Sequence, residues 1–444
     1  MWKVFPLVTI LLMASTACDN GNKRPKADKG FLTDVKLLHD NQQKMTEIII
    51  YAVFNPPIAS RIYAYTSLAA YEAIRFQEKE YPSLVAQLHG FSPIPQPEAG
   101  KKYNFLLAAT RSFFTVADKL PTFYVDSLKP YLDGVYADFK SLLDEETYNR
   151  SILFGDSIAK IILDRASKDN YKKTRGMEKY LGSNDQGKWK PTPPDYNDGV
   201  EPFWSLIQPL ALDSANHCKA TPAPKFSKDT TSEFYKIVKE VYDIGKKLNE
   251  EERTIAKYWD DNPFVMEHSG HLMFGNKKIT PVGHWMGITS IACKIKSIGP
   301  VQTAQAYALS AIAIFDSFIA CFEEKYKSQL VRPVTVINEM IDRNWQPYLQ
   351  TPAFPEHTSG HSTISAAAAA VLTKRFGDNF KFEDTSDLAY IGMKRSFNSF
   401  LEAANEASIS RLYGGIHYRT GINAGARQGL LVADVINNKI RLKE

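Results

Sequence analysis

Apolar residues recur every three or four positions along most of the chain, the spacing that places them on one face of an α-helix. One such set is Ile62, Tyr65, Ala69, Ala73 and Phe76. The same spacing predicts helices over residues 104–116, 148–166, 233–248, 303–327, 362–376, 389–411 and 423–440. No alternation of apolar and polar positions is long enough to predict a sheet. The pattern therefore predicts an all-α protein.

A proline-rich segment over residues 187–225 interrupts the helical pattern. It holds seven of the 24 prolines, and proline at that density excludes a helix. Disordered linkers are poor in aromatic residues, so the aromatic residues of this segment favour an ordered wrap or pocket wall. They are Trp189, Tyr196, Phe203 and Trp204. We predict two helical bundles: an N-terminal domain over residues 31–225 that includes the wrap, and a C-terminal four-helix bundle over 226–444 that holds the site.

The first 18 residues have the features of a secretory signal. Lys3 precedes an apolar run of about ten residues, which is shorter than the ~20 residues that a membrane-spanning helix needs. Small residues then lead to Cys18, as in the signals of bacterial lipoproteins, where the cysteine carries the lipid. Residues 19–30 are polar and suit a tether. We expect an exported protein anchored by lipid to the periplasmic or outer-membrane surface, with plain secretion as the alternative.

Charge and cysteine content exclude two further classes of protein. The 54 Lys and Arg residues nearly balance the 49 Asp and Glu residues, and a net charge of +5 is too small for the basic surface of a nucleic-acid-binding protein. Four cysteines in 444 residues do not make a disulfide framework. Cys321 falls on the apolar stripe of a predicted helix, which indicates core packing.

The first of three short motifs joins Lys325 to Arg332-Pro333. Lys325 continues a buried helical stripe, where a lysine must either extend to solvent or meet an anion. The stripe consists of Tyr307, Ala311, Ile314, Phe318 and Cys321. Pro333 is expected to end this helix, with Arg332 directly before it.

The second motif is Thr358-Ser359-Gly360-His361, at the start of an Ala-rich helix. Ser359 and Gly360 offer a hydroxyl and free N–H groups at the positive end of the helix dipole, which favours a bound anion. His361 lies in the first turn, where it faces whatever binds there.

The third motif begins with Arg411 at a predicted helix end. Gly414 and Gly415 follow and allow a sharp turn, which brings His417 back toward Arg411. Each motif alone has an ordinary structural explanation: a solvated surface, a capped turn or a core histidine. Together they supply three cations, N–H donors and two imidazoles, a set that suits a tetrahedral oxyanion. Charge-assisted hydrogen bonds of about 1.5–3 kcal/mol each can offset the cost of removing such an anion from water.

In this order and spacing the motifs resemble those of the vanadium-dependent haloperoxidases, within the superfamily of type 2 phosphatidic acid phosphatases and bacterial acid phosphatases. The resemblance covers roughly residues 55–440. Beyond the motifs it includes residues 65–74, 187–212, 258–263, 283–285 and 315–333, which the smaller phosphatases lack.

The resemblance implies a vanadate cofactor and a role for each motif residue. His417 would bond the vanadium, and His361 would be the acid/base. The groups that would hold the vanadate oxygens are Lys325, Arg332, Arg411, Ser359 and the Gly360 N–H. Hydrogen peroxide would then oxidise a halide ion to hypohalous acid, which halogenates small organic acceptors, and iodide or bromide is the favoured halide. Lys325 would polarise the peroxide.

Two positions depart from the family pattern. Thr358 replaces a proline, and Gly421 stands where many relatives have an aspartate four residues after the histidine. In the phosphatases that carboxylate orients the nucleophilic histidine. We therefore expect the absence to weaken phosphatase chemistry more than vanadate binding, and a backbone carbonyl to be a candidate partner for His417.

By analogy with the family, Phe354 should line the halide pocket, and Phe322 and His357 are further candidates. The main alternative function is an acid phosphatase in which His417 forms a phosphohistidine and His361 protonates the leaving group. A lipoprotein that binds an oxyanion without catalysis is a second alternative, although both catalytic histidines are present.

A zinc-binding site is a further hypothesis, suggested by residues 267–271 (EHSGH) and nearby His284. Their spacing differs from the HExxH motif that places two histidines on one helical face, so we expect loop histidines instead. Trp259 and Trp285 are expected to pack, and Asp260 or Asp261 is a candidate partner for one of the site arginines.

The signal predicts a measurable dependence on Cys18. A Cys18→Ser variant should move from the membrane fraction to the soluble exported fraction and should lose incorporation of labelled fatty acid. Incorporation that survives the substitution would contradict a lipoprotein signal ending at this cysteine.

Overall fold

The computed structural model describes residues 27–120, 128–263, 266–269, 272–275 and 278–442. The predicted signal and most of the tether therefore lie outside the described residues. Within them, the α-helices are α1 (Lys36–Tyr51), α2 (Pro56–Ile74), α3 (Phe105–Lys119), α4 (Leu128–Leu142), α5 (Glu145–Ser167), α6 (Tyr171–Thr174), α7 (Glu233–Lys247), α8 (Glu250–Tyr258), α9 (Pro281–Lys296), α10 (Pro300–Ser328), α11 (Pro333–Met340), α12 (Gly360–Phe376), α13 (Leu388–Ile391), α14 (Phe400–Tyr413) and α15 (Arg419–Lys439). The all-α prediction is confirmed.

Two short antiparallel strand pairs accompany the helices. They are β1 (Met266–Ser269) with β2 (Leu272–Gly275), and β3 (Phe382–Asp384) with β4 (Arg395–Phe397). Strands of three or four residues are too short to show a period of two, which is why the pattern did not predict them. The single helix predicted over 389–411 is wrong, because Gly392 (φ 70°) ends α13 and Ser399 caps a new helix, α14.

Helices α2, α3 and α5 form the N-terminal bundle. Asn55 caps α2 by accepting the Ile58 N–H at 2.9 Å, and Pro56 occupies the first helical position, where its missing N–H costs nothing. Close approach of α3 and α5 requires Gly155, since a Cβ there would lie 2.6 Å from the Ala108 carbonyl oxygen.

The C-terminal four-helix bundle consists of α10, α12, α14 and α15. Helix α10 is long and apolar enough to span a membrane, but its most apolar window is wholly buried inside the protein. It packs against α2 on one side and α12 on the other, so one hydrophobic core extends from Leu37 to Ile440. The boundary near residue 225 remains a prediction, because the two bundles share this core.

The proline-rich segment over 187–225 is an ordered wall. Trp189 and Trp204 are fully buried. Asp316, inside α10, accepts three backbone N–H groups of the segment at 2.7–2.9 Å, those of Leu210, Ala211 and Leu212. Satisfying a buried carboxylate with three donors ties the wrap to the central helix.

Close packing of α12 and α15 predicts that Gly429→Ala destabilises the protein. A Cβ at Gly429 would lie 2.0 Å from the Thr363 carbonyl oxygen, so the helices must separate. We expect a loss of about 1–3 kcal/mol in the free energy of unfolding, measured by urea denaturation. The control is Gly176→Ala, where the nearest atom is 4.0 Å away. Equal stability of the two variants would contradict the tight contact.

Candidate active site

The three motifs converge at one end of the C-terminal bundle. Lys325 lies in the last turn of α10, Arg332 is the N-cap of α11, and Arg411 lies in the last turn of α14. His417 precedes α15 by two residues. All four side chains are buried, with His417 the most exposed at 3%. Burial, and then the positive charges of the three cations, hold the pKa of His417 well below its usual range.

Backbone carbonyls hold Lys325 and Arg332. The Lys325 ammonium donates to the carbonyls of Pro355 at 3.0 Å and Glu356 at 3.1 Å. Arg332 Nε donates to the Phe354 carbonyl at 2.8 Å. Burial lowers the pKa of Lys325 to about 7 and that of Arg332 to about 10. Neither cation forms an ion pair with a carboxylate in the part of the chain that the structure describes, and a desolvated, unpaired cation favours a bound anion.

Arg411 is held in the same manner. Its guanidinium donates to the carbonyl of Trp259 and, at 3.4 Å, to that of Asp260. The Asp260 carboxylate pairs with Lys278 at 2.5 Å instead. Asp261 lies between His284 and His361, and among the described residues neither acid forms the expected ion pair with a site arginine. Trp259 is buried as predicted.

Gly360 begins α12, and Ser359 is its N-cap, as the sequence predicts. The Ser359 hydroxyl accepts the Ser362 hydroxyl at 2.9 Å and the Ser362 N–H at 3.4 Å. Both residues therefore stand at the positive end of α12. Ser359 is fully buried, and Gly360 lines the cavity described next.

A cavity of about 380 Å³ opens onto this site. Its lining includes His361, Arg411 and His417, together with residues of the wrap. Phe354 and Phe322 also line it, with ring centroids 5.5 Å apart, which agrees with their predicted positions. The Phe354 ring lies over two cations, 4.7 Å from the Lys325 ammonium and 5.0 Å from the Arg332 guanidinium carbon.

His357 does not reach the cavity, so the structure removes it from the proposed halide pocket. Its Nε2 lies 2.8 Å from the carbonyl of Thr221 in the wrap, and it is absent from the cavity lining. Burial lowers the pKa of His357 to about 4. The neutral ring thus donates its N–H to the wrap and fastens the wrap to the segment before α12.

His361 lines the cavity, and its Nε2 has no hydrogen-bond partner among the residues that the structure describes. Burial, and then the charge of Arg411, hold its pKa well below the usual range, so the ring is neutral. The nearest carboxylate oxygen is Asp261 Oδ2, 3.8 Å from this nitrogen. A neutral imidazole with a free nitrogen can accept or deliver a proton there.

Behind Asp261 lies a buried charge cluster that the sequence did not predict. His284 Nδ1 is 3.0 Å from Asp261 Oδ1, and His284 Nε2 is 2.9 Å from Asp384 Oδ2. Burial opposes the charged form of His284, but the two carboxylates outweigh it and hold the His284 pKa well above 6.5. No local motif marks Asp384, which reaches the cluster only through the β3–β4 pair. The side chains of residues 267–271, considered above for zinc, lie outside the described residues.

Glu356 is the partner of His417. Its Oε1 lies 2.8 Å from His417 Nδ1 and accepts the Tyr418 N–H at 3.0 Å. The expectation of a backbone carbonyl is therefore wrong, because a buried carboxylate occupies that position. The only sequence signal was indirect: a glycine at position 421, where relatives carry an acid.

The charge balance and the free polar atoms fit a bound oxyanion. Among the described residues, none of the three cations forms an ion pair with a carboxylate. Arg332 Nη2 and His361 Nε2 are buried without partners. An anion with several oxygens, placed between α12 and His417, would give these groups the acceptor and donor they lack. Vanadate and phosphate both have that chemistry.

The geometry defines the class of protein: a helical bundle with a buried, histidine-containing oxyanion site. Comparisons with known proteins agree. Residues 305–442 match the family model described as the VCPO second helical-bundle domain. The crystal structure of the first bacterial vanadium-dependent iodoperoxidase is 42% identical in sequence, with a TM-score of 0.88, and the match covers 95% of this chain and 99% of that one. The chain belongs to the vanadium-dependent haloperoxidase family.

More distant structures share the fold. A holo-type bacterial vanadium-dependent chloroperoxidase is 19% identical, with a TM-score of 0.65, covering 87% of this chain and 92% of that one. The apo-type form is 18% identical, with a TM-score of 0.66 and coverage of 87% and 94%. No curated protein sequence matches the chain.

The His284 cluster predicts a pH-dependent contribution to stability. Because the folded-state pKa of His284 is raised, its contribution is complete below pH 6.5 and decreases as the pH rises above that value. The difference in unfolding free energy between the wild type and His284→Gln should therefore be largest at pH 5–6. His217→Gln is the control, since His217 is partly exposed and its partner Asp213 largely so. A difference that does not change with pH would show that His284 is not an imidazolium here.

Proposed function

We propose that the protein is a vanadate-dependent haloperoxidase that uses hydrogen peroxide to oxidise a halide, with iodide favoured. The observation that carries this proposal is the set of three buried cations around the imidazole of His417, at the end of an aromatic cavity. Among the described residues these cations contact neutral groups and form no ion pair with a carboxylate. The 42% sequence identity to the bacterial iodoperoxidase supports the choice of halide. Bromide remains the second candidate.

The motif residues would hold vanadate. Lys325, Arg332 and Arg411 would bind its oxygens, helped by Ser359 and the Gly360 N–H, and His417 Nε2 would bond the metal. When bound, vanadate supplies a Lewis-acidic vanadium(V) that activates hydrogen peroxide without changing its own oxidation state. The overall reaction consumes peroxide, halide and one proton, and yields hypohalous acid and water.

Within the protein, the proton of this reaction would be accepted and released by one atom, His361 Nε2. The neutral ring can take a proton from incoming peroxide at this nitrogen and return it to the leaving oxygen. Asp261, anchored by His284, places a carboxylate oxygen 3.8 Å from this nitrogen, while the charges of Arg411 and His284 favour the neutral ring and therefore the return of the proton. Phe322 and Phe354 line the cavity beside the site and would limit the access of water to it.

Acid phosphatase chemistry is the second candidate, and one observation favours it. Position 421 has no carboxylate, but Glu356 places one beside His417 instead. His417 therefore has the partner that a nucleophilic histidine needs. The absence of the aspartate therefore no longer counts against this activity. The family assignment still favours the peroxidase.

We also propose that the enzyme works outside the cytoplasm, anchored by lipid at Cys18. The support is the signal pattern and the polar tether of residues 19–30. Export would place the enzyme where hypohalous acid forms away from cytoplasmic components.

Apo-protein freed of vanadate and phosphate should oxidise iodide with peroxide only after orthovanadate is added. His417→Ala should abolish this activity while keeping the fold. His361→Ala should keep vanadate binding and lose about 10²–10⁴ in rate, the usual contribution of a general acid–base. The readouts are triiodide absorbance, vanadate binding by calorimetry and circular dichroism.

Hydrolysis of p-nitrophenyl phosphate, measured on the same samples, separates the two functions. Phosphatase activity that vanadate inhibits, without iodide oxidation in its presence, would replace the peroxidase proposal with the phosphatase. Full activity of either histidine variant would refute the assigned roles.

A further inference from the structure

The carboxylate that contacts His417 comes from an unexpected part of the chain. Glu356 lies on the extended segment before α12, 61 residues before the histidine. It is fully buried. The same segment already orients two cations, because the carbonyls of Phe354, Pro355 and Glu356 hold Arg332 and Lys325. One short stretch of chain thus contacts three groups of the site.

The hydrogen bonds around His417 determine which ring nitrogen carries the proton. Arg332 Nη1 lies 3.1 Å from His417 Nε2, and a guanidinium can only donate. The Nε2 atom must therefore be the acceptor, which places the proton on Nδ1. That N–H is directed at Glu356 Oε1, 2.8 Å away. The lone pair thus stands on Nε2, the nitrogen that faces the cations.

Gly421 is required by this arrangement. An ideal Cβ at position 421 would lie 2.2 Å from Glu356 Oε1 and 2.8 Å from Glu356 Cδ. No side chain fits there while Glu356 holds the imidazole. The backbone cannot easily yield, since the Ser359 N–H donates to the Gly421 carbonyl at 3.0 Å and a Cβ at Gly425 would lie only 2.7 Å from the Ser359 carbonyl oxygen.

We propose that Glu356 is the positioning residue of His417, and that it replaces a carboxylate at position 421 by occupying the same volume from the opposite segment. Its carboxylate fixes the ring orientation and the Nδ1–H tautomer. The Nε2 lone pair, which accepts from Arg332 in the anion-free protein, can then bond the central atom of an oxyanion once Arg332 donates to the anion instead. Position 421 is glycine because a carboxylate side chain there would overlap with the carboxylate of Glu356. The identity of the anion rests on the function proposed above, but the positioning does not.

The test moves the carboxylate between the two positions. Glu356→Ala should weaken orthovanadate binding about 10–100-fold, the usual cost of losing the group that orients a ligating histidine. Glu356→Gln should lose less, because an amide oxygen can still accept from both the imidazole and the Tyr418 N–H. Gly421→Asp alone should lose at least as much as Glu356→Ala. The double variant Glu356→Ala/Gly421→Asp should regain affinity to within about tenfold of the wild type.

Binding is measured by calorimetry with orthovanadate and, separately, with inorganic phosphate. The protonated nitrogen of His417 is read directly from long-range ¹H–¹⁵N correlation spectra of the anion-free protein. The wild type and the double variant should show the Nδ1–H form, and Glu356→Ala a mixture. Glu240→Gln is the matched control, because it removes an ion pair to Arg419 at the end of the same loop without touching His417.

The outcomes separate this inference from the proposed function. Wild-type affinity in Glu356→Ala, or a double variant no better than that single variant while folded, would overturn the positioning role. A wild type that binds neither anion would instead refute the proposed function. The tautomer measurement would still decide the role of Glu356 in that case.

Discussion

Buried positive charge without carboxylate neutralisation is the constraint on which the site depends. Lys325, Arg332 and Arg411 are removed from water. Their partners among the described residues are neutral: backbone carbonyls, the Ser410 hydroxyl and the His417 imidazole, which orient the cations but cancel little of their charge. The lowered pKa of Lys325 expresses the cost of this state. A bound oxyanion would remove that cost, so the folded protein is organised around a group that its own chain does not supply.

The surrounding structure keeps these charges rigid and dry. Helix α10 runs through the shared core and carries Lys325 to its last turn, where no solvent reaches the ammonium. The proline-rich wrap is tied to α10 through Asp316 and to the segment before α12 through His357. The N-terminal half and the wrap therefore form one wall of the cavity.

Predictions from the sequence were correct for helices and motif residues that are marked by local spacing along the chain. Helical periodicity predicted the bundle helices, and the motif spacing predicted that Lys325, Arg332, Ser359, Arg411 and His417 would meet. The predictions failed where a contact joins segments with no pattern of their own. Glu356 and Asp384 are ordinary acids in the sequence, and the helix predicted over 389–411 is broken by a short strand that pairs with β3. The prediction that His357 lines the halide pocket came from an analogy with the family, and the hydrogen bond of His357 to the wrap does not support it.

The amino-acid sequence by itself determined the all-α class and the chemistry of the site, because periodicity and motif spacing are properties of local chain geometry. Only the tertiary structure decided which acid serves which histidine. That choice depends on volume, because Glu356 and a side chain at Gly421 would occupy the same space between α12 and α15. The order of residues in the sequence does not show how much space is available there. The protonated nitrogen of His417 was decided in the same way, by an arginine and a glutamate brought to its two sides from separate segments.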